Sequence, residues 1–206
     1  MKNLIFDFDG TIVDSLDFVI EMYMSWYPED QYLKTVDKDK LRNMPISQVI
    51  GELRVKPWKV PALIFRGRME MNKNINQIDM VDGMKELLDQ LSKDSINLYI
   101  ASSNSSRNIN KYLRNKNLRK IFKRVYGSVG IFSKGKALNK IIDKNKLKRQ
   151  ETYYVGDEVR DIKAAKKAGL KSIGVTWGYN GESIIARENP DFLVNDPREI
   201  IKIINS

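Results

Sequence analysis

The chain has 206 residues, 36 lysines and arginines against 26 aspartates and glutamates, a formal charge of +10, and neither histidine nor cysteine. Disulfides, thiolate nucleophiles, histidine triads and Cys/His zinc sites are therefore excluded, leaving carboxylates, hydroxyls, lysine, arginine, backbone amides and oxygen-held metals for any chemistry. Hydrophobic residues make up 42% and aromatics 9%, which suits one large folded domain with or without a smaller insert.

The first apolar run, residues 4–8, reads as a strand; Asp7 and Asp9 cut it too early for a signal peptide and far too short for a membrane span. A cytoplasmic protein is expected. Residues 15–81 show helical periodicity (Phe18, Val19, Met22; Val49, Ile50, Leu53; Leu63, Ile64) without convincing strands, and Pro45, Pro57 and Pro61 divide them into about four short helices. Beyond them, short apolar runs at 96–101, 125–126, 152–155, 172–175 and 192–194 alternate with helical patterns. Met84, Leu87, Leu88 and Leu91 repeat at helical spacing, Ile109, Tyr112 and Leu113 do likewise, and Gly169 closes the helix of Ala164, Ala165 and Ala168. This is the pattern of an α/β fold, a doubly wound, mostly parallel sheet with helices on both faces. The core spans 1–14 and 82–206, and the helical insert of 15–81 follows the first strand.

Four segments carry chemistry. In Phe6-Asp7-Phe8-Asp9-Gly10-Thr11 two acids two residues apart share one side of a strand end, and strand carboxyl ends are where open parallel sheets bind ligands. Like charges held together call for a cation, for which Mg²⁺ with oxygen ligands is the usual choice. Gly156-Asp157-Glu158-Val159-Arg160-Asp161 brings Asp157 to the same sheet edge as a third carboxylate, with Asp161 one helical turn further on. Ser102, Ser103 and Asn104 end another strand and open a helix, where hydroxyls and free amides make an anion seat. Phe132-Ser133-Lys134-Gly135-Lys136 precedes a helix, and a lysine there reaches a phosphoryl oxygen as a point charge.

These residues resemble the haloacid dehalogenase-like hydrolases, whose motifs are Asp-x-Asp-Gly-Thr, a strand-end Ser or Thr, a lysine and Gly-Asp-x(3)-Asp, in that order over nearly the whole chain. The match is closest to phosphoglycolate-phosphatase-like members with a helical cap inserted after the first strand, and the Val175-Thr176-Trp177-Gly178-Tyr179 turn is similar too. The resemblance implies a Mg²⁺-dependent phosphatase that hydrolyses a small phosphomonoester metabolite through an aspartyl-phosphate. Asp7 would be the nucleophile and Asp9 the general acid and base. Asp7, the Asp9 carbonyl and Asp157 would hold the metal, with Asp161 and Glu158 as outer groups orienting them. Gly10, Ser102, Ser103 and Lys134 would bind the phosphate; Ser102 is favoured over Ser103 and Lys134 over Lys136. Trp58, Arg66 and Arg68 in the insert are assigned to core and surface.

Other readings remain beside this one. A phosphomutase of the same family is the nearest enzymatic rival, and a receiver domain would not need the insert. Residues 107–171 hold 20 Lys and Arg against 5 Asp and Glu, so a basic nucleic-acid-binding protein is an alternative, although solvated helix faces explain the surplus more simply. Residues 130–136 match the spacing of a P-loop, but Ala137 stands where the metal-binding hydroxyl belongs. The expected partner is a phosphorylated metabolite in preference to a nucleic acid, with no membrane, and the oligomeric state stays open between monomer and homodimer.

Overall fold

The computed structural model describes residues 1–94, 96–130 and 133–205. Ile131 and Phe132, in the segment leading to Lys134, lie outside the described residues. Six strands form one all-parallel sheet: β1 (Asn3–Phe6), β2 (Asn97–Ala101), β3 (Phe122–Tyr126), β4 (Thr152–Gly156), β5 (Lys171–Val175) and β6 (Phe192–Val194), in the order β3-β2-β1-β4-β5-β6. β1 is central, pairing with β2 from Asn3 opposite Asn97 and with β4 from Asn3 opposite Thr152. Strand order reverses about β1, and the crevice at such a reversal, beyond the strand carboxyl ends, is where doubly wound sheets bind ligands.

Side chains alternate between two buried layers, as a sheet covered on both faces requires. Leu4, Phe6, Leu98, Ile100, Tyr153 and Val155 join one layer, where α6 (Met84–Leu91) contributes Leu87 and Leu88, and α7 (Ser106–Asn115) contributes Ile109, Tyr112 and Leu113. Ile5, Tyr99, Ala101 and Tyr154 join the other, under α8 (Lys134–Asn145) and α9 (Val159–Lys167). The last two helices are α10 (Glu182–Arg187) and α11 (Glu199–Asn205). β3 begins three residues earlier than its apolar run because Lys123 and Arg124 are exposed on this edge strand, where charge guards against pairing with another chain.

The insert, residues 15–81, holds five α-helices rather than four: α1 (Leu16–Ser25), α2 (Gln31–Lys34), α3 (Lys38–Arg42), α4 (Ile46–Glu52) and α5 (Val60–Asn74). α2 and α3 are single turns started by Asp30 and Asp37, whose carboxylates accept from the amides of the first turn. Exit and return strands of this insert are stitched together: Val13 bridges Met80, the Asp14 amide donates to the Asp79 carbonyl and the Val81 amide to the Ile12 carbonyl. The insert is sparsely packed, since α1, α3 and α4 bury no residue fully. Its C-terminal end enters the main core through Met71, Ile75 and Ile78, and Phe18 of α1 packs against that core.

Among the described residues no helix is long and apolar enough to cross a membrane. The lysine surplus sits largely on solvent-facing positions: Lys136, Lys140 and Lys144 on α8, and Lys163, Lys166 and Lys167 on α9, are all exposed. Stability rests on the two sheet-facing layers. Leu88→Ala, which empties a fully buried site, is expected to lower the unfolding free energy by about 2–5 kcal/mol in a urea titration.

Candidate active site

Every segment singled out above ends at the carboxyl edge of the sheet. Asp7 follows β1, continuing its ladder through an amide bond to the Val155 carbonyl. Ser102 follows β2, Asp157 follows β4, and Lys134 is the first residue of α8. The side chains of Asp7, Asp157, Asp161 and Lys134 are all buried.

Lys134 stands between two of the acids. Its Nζ lies 2.5 Å from Asp7 Oδ2 and 2.5 Å from Asp161 Oδ1. Burial works against its charge, but Asp161 and Asp7 more than offset this and hold the ammonium up at about 12. Lys136, two positions on, is exposed. Asp7 Oδ1 accepts the amide of Phe8 at 2.7 Å, so both oxygens of that carboxylate are oriented. Asp161 Oδ2 accepts the amide of Glu158 at 3.0 Å, fixing the start of α9.

Asp9 differs from Asp7. It is half-buried, and its Oδ1 accepts from the Asn104 side chain at 3.0 Å. Burial first, and the neighbouring Asp7 charge second, raise its pKa to about 7, which suits a group that gives and takes a proton near neutrality.

Asp157 is fully buried, and Gly10 and Gly178 let the chain close around it. A Cβ at Gly10, whose φ is +72°, would fall 2.2 Å from Asp157 Oδ2, and one at Gly178 would fall 2.3 Å from the same atom. The carboxylate accepts from Thr11 Oγ1 at 2.7 Å and from the Tyr179 amide at 2.8 Å. These are neutral donors, and among the described residues no cation forms an ion pair with it. Burial, with Glu158, Asp161 and Asp7 adding repulsion, drives its pKa well above the carboxylate range.

The acids that converge most closely are Asp7, Glu158 and Asp161, each offering an oxygen within 4.8 Å of the others. The sequence placed Asp9 and Asp157 with Asp7 around the ion and set Glu158 and Asp161 outside. The structure brings those outer two nearest to Asp7, but each has a cationic partner: Asp161 has Lys134, and Glu158 has Arg160. Asp157 has none.

Of the two serines, Ser102 is fully buried, with its Oγ accepting the Asn104 amide at 3.2 Å. Ser103 and Asn104 face a cavity of about 270 Å³ that Asp7 and Asp9 also line. Several members of the site carry no sequence signal of their own. Asn104 holds Asp9; Tyr179 supplies an amide to Asp157 and a hydroxyl 3.0 Å from Ser15 Oγ. Arg160 pairs with Glu158 while its Nε and Nη1 are buried without a partner. The insert contributes Arg68, whose Nη2 donates to the Ser103 carbonyl at 2.6 Å. Trp58 is exposed and Arg66 stacks on Trp26.

The haloacid dehalogenase-like hydrolase family matches residues 4–175. The chain belongs to that family. It is 32% identical over 206 residues to a phosphoglycolate phosphatase of Synechococcus elongatus, covering 99% of this chain and 97% of the relative. It is also 24% identical over 213 residues to a pyrophosphatase of Anoxybacillus flavithermus, covering 99% and 97% respectively. A haloacid dehalogenase-like family hydrolase from Streptococcus pneumoniae superposes with a TM-score of 0.80 at 20% identity, with 98% of each chain covered. The family places the chain among hydrolases, and the fold is that of its solved members.

The acids make stability depend on pH. Asp9 keeps its proton in the folded state up to about pH 7, and Asp161 up to about 6, whereas unfolded aspartates lose theirs near 3.9. The folded state therefore binds more protons across this window, and unfolding free energy falls as pH rises from about 4 to 7. In EDTA the slope is expected to approach about 1.4 kcal/mol per pH unit for each such proton, and Asp9→Asn should remove one group's share in melts recorded between pH 4 and 8.

Proposed function

We propose that the protein is a Mg²⁺-dependent phosphatase that hydrolyses a small phosphomonoester through an aspartyl-phosphate on Asp7, with the helical insert, residues 15–81, as a cap over the site. The observation that carries this reading is the pair of carboxyls at one strand end held in unlike surroundings: Asp7 in an ion pair with Lys134 and Asp9 raised to about 7. A nucleophile must stay ionised and an acid must hold a proton, and divergent environments give two aspartates these two roles.

Asp7 attacks the phosphorus, the bond to the alcohol breaks, and the proton of Asp9 goes to the leaving oxygen. Asp9, now ionised, takes a proton from water as the water attacks the phosphorus; phosphate leaves and Asp7 is restored. Lys134 orients Asp7 through its ion pair and offers its ammonium to a phosphoryl oxygen, while the amides around Gly10 and the serines Ser102 and Ser103 receive the other oxygens. The half-buried position of Asp9 lets it meet both the alcohol and the water.

The residues fit a divalent cation. Asp157 is a buried carboxylate without an ion-pair partner, and such a charge must be neutralised by a proton or a metal. Its oxygens retain lone pairs beyond those given to Thr11 and Tyr179. Asp7, the Asp9 carbonyl and Asp157 would hold the ion, since recruiting Asp161 or Glu158 would strand Lys134 or Arg160. When bound, Mg²⁺ supplies charge that offsets repulsion between carboxylate and phosphate. Among substrates, phosphoglycolate is the first to try because a relative similar over its full length is named for it.

Phosphate release from phosphoglycolate and a generic phosphomonoester, with Mg²⁺ and with EDTA, tests the reading. Turnover is expected only with Mg²⁺. Asp7→Asn should fold and lose at least 10³-fold in kcat, Asp9→Asn should lose about 10²–10⁴-fold, and Asp157→Asn should need far more Mg²⁺ for half-maximal rate. Undiminished turnover by Asp7→Asn refutes the nucleophile.

A further inference from the structure

The cavity beside Asp7 and Asp9 has two unlike halves. Its core half is polar, formed by those acids, Ser103, Asn104, Glu158, Arg160 and the Tyr179 ring. Its insert half is mostly apolar: Val19 from α1, Trp26 just beyond that helix, Val49 from α4, and Leu63 and Ile64 from α5 are among the side chains that face it, with Tyr23 beside them. Among the described residues Arg68 is the one charged residue the insert brings to this cavity, and its Nη2 is already spent on the Ser103 carbonyl.

With phosphate seated against the core, the alcohol of the ester must project into the apolar half. A carboxylate there would lose its hydration and meet no cation of the insert except what remains of Arg68, because Arg160, whose Nε and Nη1 lack a partner, lies on the core half with the phosphate; this is a costly exchange for a buried charge. A sugar would leave most of its hydroxyls facing aliphatic side chains, the Tyr23 hydroxyl and the Trp26 N–H being among the few groups able to pair with them, which is also unfavourable. An alkyl or aryl group loses nothing and gains burial. Room is ample: beyond a wall formed partly by Val19, Val49 and Leu53 lies a second cavity of about 310 Å³, also mostly apolar, with Lys34, Lys38 and Arg42 among its lining.

We infer that the substrate is the phosphate monoester of an apolar alcohol, selected by the apolar wall of the insert, in preference to the phosphate of a hydroxy acid or a sugar. The inference rests on the phosphatase reading above and narrows it to one substrate class. It also separates this chain from what its relative's name suggests, because the chemistry that would greet a glycolate carboxylate is missing from most of the cavity wall.

Ethyl, butyl and hexyl phosphate have alcohols of similar acidity, so a series of them isolates burial of the chain from the chemistry of the leaving group. With Mg²⁺ present, kcat/KM is expected to rise about fourfold per added methylene between ethyl and butyl phosphate, and butyl phosphate should exceed phosphoglycolate at least tenfold. Val49→Trp, which fills the cavity, should flatten that rise, with circular dichroism and thermal melting reporting whether the variant folds. A flat or falling series in the unsubstituted protein, or preference for phosphoglycolate, overturns the inference while leaving the phosphatase reading intact. Absence of turnover with every ester in Mg²⁺ overturns both.

Discussion

The bond from Lys134 to Asp7 and Asp161 is the contact around which the rest of the molecule is arranged. Three strand ends or helix starts, after β1, β3 and β4, must arrive at one point for a single ammonium to touch both carboxylates at 2.5 Å. Buried carboxylates and ammonium groups are each costly alone, and removing one member of such a set leaves an uncompensated charge in the interior. The parallel sheet makes the arrangement possible because it brings the ends of distant segments to one edge, with β1 between β2 and β4. The bond then does two jobs at once: it fixes where α8 and α9 begin, and it orients the Asp7 carboxylate.

Charge balance separates the acids into kinds. Asp161 and Glu158 have cations of their own; Asp9 is half-buried and raised toward neutrality; Asp157 is sealed between Gly10 and Gly178 with only neutral donors. Proximity alone would assign the cation to the three carboxylates nearest one another. Counting partners gives a different answer, since a carboxylate already paired gains less from a metal than one that is not. The same reasoning applies to the insert, whose half-buried apolar side chains are left facing a void above the acids. Helices that bury little and are anchored at a few points, by the Val13–Met80 bridge, the Arg68–Ser103 bond and the Asn180 contacts to the carbonyls of Arg42 and Met44, belong to the less stable end of a fold, where substrate-admitting elements are drawn from.

Much of this was legible in the residues. Apolar runs ending in Asp-x-Asp or Gly-Asp mark strand ends, and a parallel sheet leaves those ends together, so Asp7, Asp157, Ser102 and Lys134 reach one edge for reasons that periodicity contains. The preference for Lys134 over Lys136 follows in the same way, because the first residue of α8 points at the sheet edge and the third faces solvent. The edge strand β3 was read short because Lys123 and Arg124 interrupt its apolar run, and edge position is a property of topology, which composition does not carry. Prolines divide the insert into about four helices where five form, because the single-turn helices α2 and α3 start on Asp30 and Asp37 as caps and are too short for a periodicity to register. Arg68 reads as core or surface and Asn104 as part of an anion seat because their roles, like that of Tyr179, are partnerships across the fold, Asn104 to Asp9 over 95 residues and Arg68 to Ser103 over 35, and no local pattern encodes such pairings.

Transfer of the phosphoryl group to Asp7 is the central step of the proposed reaction, and direct capture of that species tests it best. Borohydride added during turnover of a phosphomonoester in Mg²⁺ reduces an acyl phosphate to the alcohol, so peptide mass spectrometry is expected to find homoserine at position 7 and the unmodified aspartates at 9, 157 and 161. Continued turnover with an unreduced Asp7, or with homoserine at another of these positions, would contradict it.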